Sequence, residues 1–343
     1  MKVQRITDDL RDRIVAGEFP PGGILPTRRI LLEHYDVSVA AFQKTINTLI
    51  AEGFLESKNS TGVFVRSDPP HLYRLGLALP IYSPAEIQAD SLWSALILSV
   101  DKVQFEGQPV TLVPYYVNTP NNQGKGVATL QKDAAKKRLC GAMFFAHNST
   151  VVLPEGFPRI SFDYDPEKTP EDHIRMATDY VQQFSLAMEE ILARGARKVA
   201  VIFQETQKSP TLLRFREIAE ASGCAVPIEW MLPLNISLVD NIAQQWLIAG
   251  LFSDNRKEKP DGIIVMNDNL LPTVNNQLLA LGMIPGETIQ VVSHCNRPSL
   301  QRILGGVSYI GYHAEEILTS SMTCIRNYRP GPQPITLISA QKI

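Results

Sequence analysis

The sequence predicts a mixed α/β protein with a small N-terminal unit and a larger region built on parallel sheets. The first 66 residues show three helical periods followed by two short β-type runs. Beyond them, strand-like runs alternate with helical patterns. The chain has 343 residues, more than one ordinary domain needs. We therefore expect a unit at residues 1–66, a proline-containing linker at 67–73 and a two-lobed α/β domain at 74–343.

Three helices are predicted in the N-terminal unit. The first carries apolar residues at helical spacing, namely Val3, Ile6, Leu10 and Ile14. Thr27 can cap the second helix, which is expected to turn Ile30 and Leu31 inward. Ser38 can cap the third, whose apolar stripe consists of Phe42, Ile46, Leu49 and Ile50. The last two helices, joined by a tight turn, form a helix-turn-helix, whose second member can enter a major groove.

A β-hairpin is predicted directly after the third helix. The runs Phe54–Ser57 and Val63–Val65 have strand character, and the turn Lys58–Gly62 separates them. A helix-turn-helix followed by such a hairpin is a winged helix-turn-helix, in which the hairpin is the wing.

The N-terminal unit resembles the gluconate-repressor (GntR) family of winged-helix regulators. Four motifs carry the resemblance: GEFPPGGILPTRR from Gly17, YDVS from Tyr35, LIAEGFL from Leu49 and TGVFV from Thr61. In that family the equivalents of Arg29, side chains early in the third helix and the wing glycine Gly62 approach DNA. The candidate DNA-binding residues are therefore Arg28, Arg29, Ser38, Gln43, Lys44, Lys58 and Gly62.

The N-terminal unit departs from the family pattern at several of these positions. Val39 and Gln43 stand where the family usually has arginine, Ala41 where it has threonine, and Arg28 where it has glutamate. The resemblance thus implies the mode of DNA contact but not the operator sequence. The net charge of the whole chain, −2, does not by itself point to nucleic acid, so a winged helix that contacts protein instead remains open.

The larger region has the strand and helix order of parallel α/β folds. Strands are predicted at Leu75–Leu79, Val110–Val117, Ala142–Ala146, Arg159–Phe162, Val199–Phe203, Ile263–Met266 and Ile289–Val292. Helices are predicted at Glu171–Arg194, Thr211–Ser222, Leu238–Phe252 and Leu270–Leu281. Ligands in such folds bind at the carboxyl ends of the strands.

This region resembles the sensor domain of the lactose-repressor (LacI) family, a relative of the type I periplasmic binding proteins. The resemblance rests on FDYD from Phe162, ARGARKVAVI from Ala193, SPTLLR from Ser209, IIVMND from Ile263 and LGMIPGETIQVVS from Leu281. It implies an effector site that includes Arg214 and Asp268. Asp163, at a strand end, and the aromatic residues Tyr82 and Trp93 complete the candidate effector-binding set.

The candidate effector residues also have plain structural alternatives. Asp268 could cap the following helix, Arg214 could form a surface ion pair with Glu217, and Asp163 could stabilise a turn. Tyr82 and Trp93 could be core residues. The chain departs from the family at Glu217 and at the run Ser293–Arg297, so the resemblance does not identify the effector.

These observations predict a ligand-responsive transcription regulator rather than an enzyme. The sequence has no phosphate-binding GxxxxGK[ST] motif, no GxSxG and no HExxH. Its four cysteines form no CxxC pair, and its longest apolar run, Leu92–Val100, is too short to span a membrane. We expect a cytoplasmic homodimer with no metal or cofactor, which binds a pseudo-palindromic operator and a small sugar or sugar derivative. A protein-interaction role, or catalysis on a sugar-like substrate, is the alternative.

Overall fold

Two units make up the chain, and each is assembled from three segments. The computed structural model describes residues 2–58, 61–81, 91–99, 102–117, 124–145, 151–162, 169–204, 209–224, 226–236, 242–299 and 304–343. The first unit consists of Met1–Ser83, Val100–Arg175 and Leu318–Ile335, and the second of Pro84–Ser99, Met176–Ile317 and Thr336–Ile343.

The first unit begins with the predicted winged helix-turn-helix. Its elements are α1 (Lys2–Val15), α2 (Arg28–Tyr35), α3 (Val39–Ala51), β1 (Leu55–Lys58) and β2 (Gly62–Val65). The two strands pair antiparallel, with Leu55 opposite Val65. Buried side chains from every element, including Leu10, Leu49 and Leu55, form one hydrophobic core. The predicted helices and hairpin are confirmed.

Two side-chain orientations in the winged helix were predicted wrongly. Ile30 is 51% exposed, because in the short helix α2 only Leu31 is buried against the core. Ile50 lies at the edge of the apolar stripe of α3 and is also exposed. Thr27 holds the N-cap position of α2 without a side-chain hydrogen bond, whereas the Ser38 hydroxyl accepts one from the Ala41 amide at 3.3 Å.

The remaining elements include every strand that the sequence predicts, together with further strands that it does not predict. In chain order they are α4 (Pro70–Tyr73), β3 (Arg74–Leu79), α5 (Ser91–Leu98), β4 (Gln104–Phe105), β5 (Gln108–Pro109), β6 (Thr111–Tyr116), α6 (Lys125–Ala135), β7 (Gly141–Phe145), β8 (Arg159–Phe162), β9 (Ile174–Thr178), α7 (Tyr180–Ala193), β10 (Val199–Gln204), α8 (Ser209–Ala221), β11 (Met231–Leu234), α9 (Ile242–Gly250), β12 (Gly262–Val265), α10 (Leu271–Ala280), β13 (Gln290–Arg297), β14 (Val307–His313), α11 (Ala314–Asn327), β15 (Ile335–Ile338) and β16 (Gln341–Lys342). The segment at 67–73, predicted as a linker, thus contains α4 with buried Pro70 and Tyr73.

Two six-stranded sheets organise these elements. Their strand orders are β15-β9-β8-β7-β3-β6 and β11-β10-β12-β13-β14-β16. Strands β6, β3, β7 and β8 are mutually parallel, as are β11, β10, β12, β13 and β14, while β16 runs antiparallel to β14. Every residue of β7 and β12 is buried, as expected for strands covered on both faces. The predicted α/β class with parallel sheets is confirmed.

The predicted helix Glu171–Arg194 is wrong in its first part. Ile174–Thr178 forms strand β9, and the helix begins only after Asp179, whose carboxylate accepts a hydrogen bond from the Gln182 amide at 2.9 Å. Pairing beside β8 in the sheet determines the conformation of this segment more strongly than its local helical spacing does.

No helix within the described ranges is long and apolar enough to cross a membrane.

Candidate DNA-binding surface and effector cluster

The exposed face of α3 carries a polar chain of hydrogen bonds that starts on α2. Arg28 Nη2 donates to Gln43 Oε1 at 2.6 Å, and Gln43 Nε2 donates to Asn47 Oδ1 at 2.9 Å. Ala40, Gln43, Lys44 and Asn47 are all exposed and follow helical spacing, so they share one face of α3. This face therefore presents amide and ammonium groups of the kind that read base edges and phosphates.

The wing lies beside this face and forms a groove with it. Arg28, Gln43, Asn47 and Gly62 line one groove of about 500 Å³ between α2, α3 and the hairpin. Gly62 has a φ of +128°, which disfavours a side chain, and a Cβ there would lie 3.2 Å from Ile24 Cδ1. The structure thus brings together three of the predicted DNA-binding residues, Arg28, Gln43 and Gly62.

The other predicted DNA-binding residues are distributed around this groove. Arg29 and Lys44 are exposed on α2 and α3. Lys58 lies 2.9 Å from Glu56 Oε1, with its ammonium 5.0 Å from the centre of the Phe64 ring. Ser38 caps α3 through its hydroxyl, which gives it a structural role irrespective of any DNA contact.

A buried ion-pair cluster fixes the C-terminal end of α3, and no local pattern in the sequence indicates it. Glu52 directly follows α3 and accepts hydrogen bonds from Arg11 of α1 and from Arg138, which follows α6. The Arg11 and Glu52 side chains are 3% and 6% exposed. Lys137 lies 2.9 Å from Asp12 in a second contact between the same segments. These ion pairs connect the winged helix to the α/β part of its own unit.

The second unit holds a buried polar cluster around Asp268. The carboxylate, 2% exposed, accepts hydrogen bonds from Ser91 Oγ at 2.5 Å and from the Asn296 backbone amide at 3.0 Å. Asn296 Nδ2 in turn donates to Ser91 Oγ at 2.8 Å. The Ser91 hydroxyl is therefore held between a carboxylate that accepts its proton and an amide that donates to its oxygen.

His294 extends this cluster. Its Nε2 lies 3.8 Å from Asp268 Oδ1, and its Nδ1 lies 3.1 Å from Gln183 Nε2. Tyr312 OH donates to Gln183 Oε1 at 3.0 Å. Burial lowers the pKa of His294, and the neighbouring Asp268 carboxylate raises it in part. A neutral imidazole can accept the Gln183 hydrogen bond, so the cluster offers donors and acceptors but no buried cation.

The predicted effector residues do not all meet at this cluster. Asp268 lies at its centre, and the adjacent helical turn is capped by Asn267, whose side chain accepts from the Asn269 amide at 3.0 Å. Trp93 lies half-buried on α5, the helix that Ser91 begins. Tyr82 and Asp163 lie outside the described residues.

Arg214 forms the surface ion pair that the sequence left open as an alternative. Its side chain on α8 is 60% exposed, and Nη1 lies 2.6 Å from Glu217 Oε2. Among the described residues, no hydrogen bond or ion pair joins Arg214 to Asp268. Its effector role therefore stays a prediction.

The described residues contain no group of three or more His, Cys, Asp or Glu side chains that could hold a metal ion. All four cysteines are free thiols. The cluster around Asp268 is thus a hydrogen-bonding site composed of side chains and backbone amides.

A winged helix-turn-helix followed by parallel α/β sheets is the architecture of DNA-binding regulators that carry a ligand-binding domain. Residues 2–65 match the family of bacterial regulatory proteins called gntR, and residues 188–325 match the periplasmic binding protein-like domain. The chain therefore combines a GntR-family DNA-binding domain with a periplasmic-binding-protein-like domain. The two resemblances expected from the sequence are confirmed.

One curated relative shares a segment of 65 residues with this chain. The mannosyl-D-glycerate transport/metabolism system repressor MngR of Escherichia coli (strain K12) is 31% identical over 65 residues. The matched segment covers 19% of this chain and 27% of that repressor, so the likeness concerns about a quarter of its length.

Solved structures of LacI-type regulators share the fold of most of the chain. A LacI-family regulatory protein from Chloroflexus aggregans has a TM-score of 0.56 at 14% identity, covering 79% of this chain and 96% of its own. A periplasmic binding protein/LacI transcriptional regulator from Alkaliphilus metalliredigens QYMF, complexed with D-xylulofuranose, has a TM-score of 0.54 at 14% identity. The match covers 79% of this chain and 97% of that structure. The gntR family, the curated relative and these two structural neighbours are transcription regulators, not enzymes.

Proposed function

We propose that this protein is a DNA-binding transcription regulator whose operator affinity responds to a small polar effector. The observation that carries the proposal is the exposed basic and amide face of α2 and α3 inside a GntR-family domain. Arg29 and Lys44 supply charge for phosphates, and Gln43 supplies an amide that can pair with an adenine edge.

The first prediction concerns DNA binding by this face. Arg29→Ala with Lys44→Ala is expected to weaken binding of a duplex selected from a random library and to flatten its salt dependence, by about 0.9 in the log–log slope per lost phosphate contact. Fluorescence anisotropy over a salt series measures both quantities.

The matched control for this double variant is Lys198→Ala with Lys259→Ala, which removes two exposed lysines of the second unit. It is expected to bind the duplex like the parent. If the parent binds no duplex, or if the Arg29/Lys44 variant keeps the parental slope, the winged helix is an interaction module and the proposal fails.

The cluster around Asp268 supports a polyhydroxy effector. Its centre is a carboxylate that already receives a hydroxyl hydrogen bond, from Ser91, in an environment shielded from water. A sugar or sugar derivative offers the same donor in several copies, and one structural neighbour is complexed with D-xylulofuranose. We propose that the effector takes this hydrogen bond over from Ser91.

The second prediction tests this effector site by thermal shift. Sugars, sugar acids and sugar phosphates are screened, and a binder at 100 times its Kd should stabilise the parent by about 2.7 kcal/mol. Asp268→Asn removes the charged acceptor and is expected to abolish the shift, whereas Asp254→Asn, on an exposed ion pair with Lys259, is expected to keep it. An equal shift in both variants would place the effector elsewhere.

The assembly and location follow from the same proposal. Two winged helices in a cytoplasmic homodimer would contact half-sites of a pseudo-palindromic operator in successive major grooves. Coupling between the sites is reciprocal, so effector and operator must change each other's affinity by one common factor. Titrating the effector with and without operator measures that factor.

A further inference from the structure

The exposed face of α3 stands between two grooves of the first unit. One is the wing groove lined by Arg28 and Gly62. The other, here called the Arg74 groove, has a volume of about 850 Å³ and lies between α3 and Arg74, Asp133 and Arg138 of the α/β part. Gln43 and Asn47 line both grooves, so they form the crest between them.

A recognition helix in a major groove has a phosphate backbone on either side of it. The B-DNA major groove is about 12 Å wide, close to the diameter of a helix with its side chains. With the crest of α3 against the base edges, one backbone faces the wing groove and the other faces the Arg74 groove. The wing side has Arg28 and Lys58 to receive its backbone.

The charges of the Arg74 groove suit the second backbone. Its two carboxylates are already paired: Glu52 binds Arg11 and Arg138, and Asp133 accepts from Arg138 Nη1 at 3.1 Å. The Arg74 guanidinium, by contrast, has no hydrogen bond or ion pair with any described residue, and Lys44 is exposed on the opposite wall. The groove thus keeps two cations whose charge is not neutralised by a local partner.

We propose that the Arg74 groove binds the phosphodiester backbone of one DNA strand, with Arg74 as a phosphate contact. Arg74 begins β3, so this contact comes from the α/β part of the unit and lies outside the winged helix. The inference rests on the proposed function, because it requires that α3 enters DNA. It adds a binding surface through which the α/β part touches the operator directly.

The test compares charge at position 74 in salt titrations of the full chain. The probe is a duplex of about 30 base pairs, long enough for two half-sites and selected from a random library by the parent protein. Arg74→Gln is expected to reduce the slope of log K against log salt by about 0.9 per chain bound and to weaken binding several-fold. Arg74→Lys keeps the charge and is expected to keep the slope. Lys198→Gln, an exposed cation of the second unit, is the control and should match the parent.

Two results overturn the inference while the proposed function stands. One is a parental slope for Arg74→Gln alongside a reduced slope for Arg29→Ala. The other is an equal loss in Arg74→Gln and Arg74→Lys with a lowered thermal midpoint, because position 74 would then act through folding and not through charge. If no duplex binds the parent, the inference and the proposed function fall together.

Discussion

His71 is a half-buried imidazole at the junction between the winged helix and the α/β part of its unit. Its ring stacks on Phe54, with centroids 5.8 Å apart and planes 10° from parallel. Its Nδ1 is buried without a hydrogen-bond partner among the described residues. Burial, and secondarily the cations Arg326 and Lys137, lowers the pKa of His71 from 6.5 to about 4. The folded protein therefore holds this side chain neutral.

Because the pKa of His71 is lower in the folded state than in the unfolded state, the free energy of unfolding should decrease as the pH is lowered through a defined window. Between pH 6.5 and about 4 the unfolded chain binds a proton that the folded chain does not, so the free energy of unfolding decreases as pH falls. The loss from this residue is at most about 3 kcal/mol and vanishes above pH 6.5.

Urea unfolding at pH 7 and pH 5 measures the effect of this residue. His71→Phe keeps the ring stack, does not titrate and should lose less stability between these pH values than the parent. His34→Gln, at an exposed position of α2, should behave like the parent. The explanation is wrong if His71→Phe and the parent respond equally to pH.

At the scale of elements, the wing depends on the backbone geometry of its glycine. Gly62→Ala places a Cβ at a φ of +128° and 3.2 Å from Ile24 Cδ1, so we expect a loss of about 1–3 kcal/mol in stability and weaker DNA binding. Gly250→Ala, at the end of α9 with no atom within 4 Å of its added Cβ, is the control and should be neutral or stabilising by up to about 1 kcal/mol. Chemical unfolding distinguishes the two, and equal stability of the two variants would show that the wing relaxes without cost.

The elements also show which features the sequence could predict. The winged helix follows from local signals, since its caps, turns and apolar spacing lie within 66 residues. Strand β9 was read as helix because only its position beside β8 makes it a strand. For the cluster around Asp268, the family motif indicates Asp268 itself, but Ser91 lies 177 residues away in sequence and Asn296 donates to Asp268 through a backbone amide near the end of a strand. Such long-range pairings leave no periodic signal in one sequence.

At the scale of the whole molecule, the two candidate sites lie in different units of the chain. The first contains the candidate DNA-binding face, and the second contains the cluster around Asp268. Five segment boundaries separate the units along the chain, so neither is a simple N- or C-terminal half. Folding of each unit requires long-range closure between its segments, which we expect to make folding slower than that of a local helical domain.

The ion pairs of Glu52 and Lys137 have a consequence for the spacing between the two half-sites of an operator. They hold the winged helix to the α/β part of its unit. A DNA-binding domain on a flexible linker could instead rotate to reach half-sites at a different spacing. In the proposed homodimer, the operator would then have little spacer tolerance. Inserting about five base pairs turns one half-site by about half a helical turn, and such a duplex should bind as though it carried a single half-site.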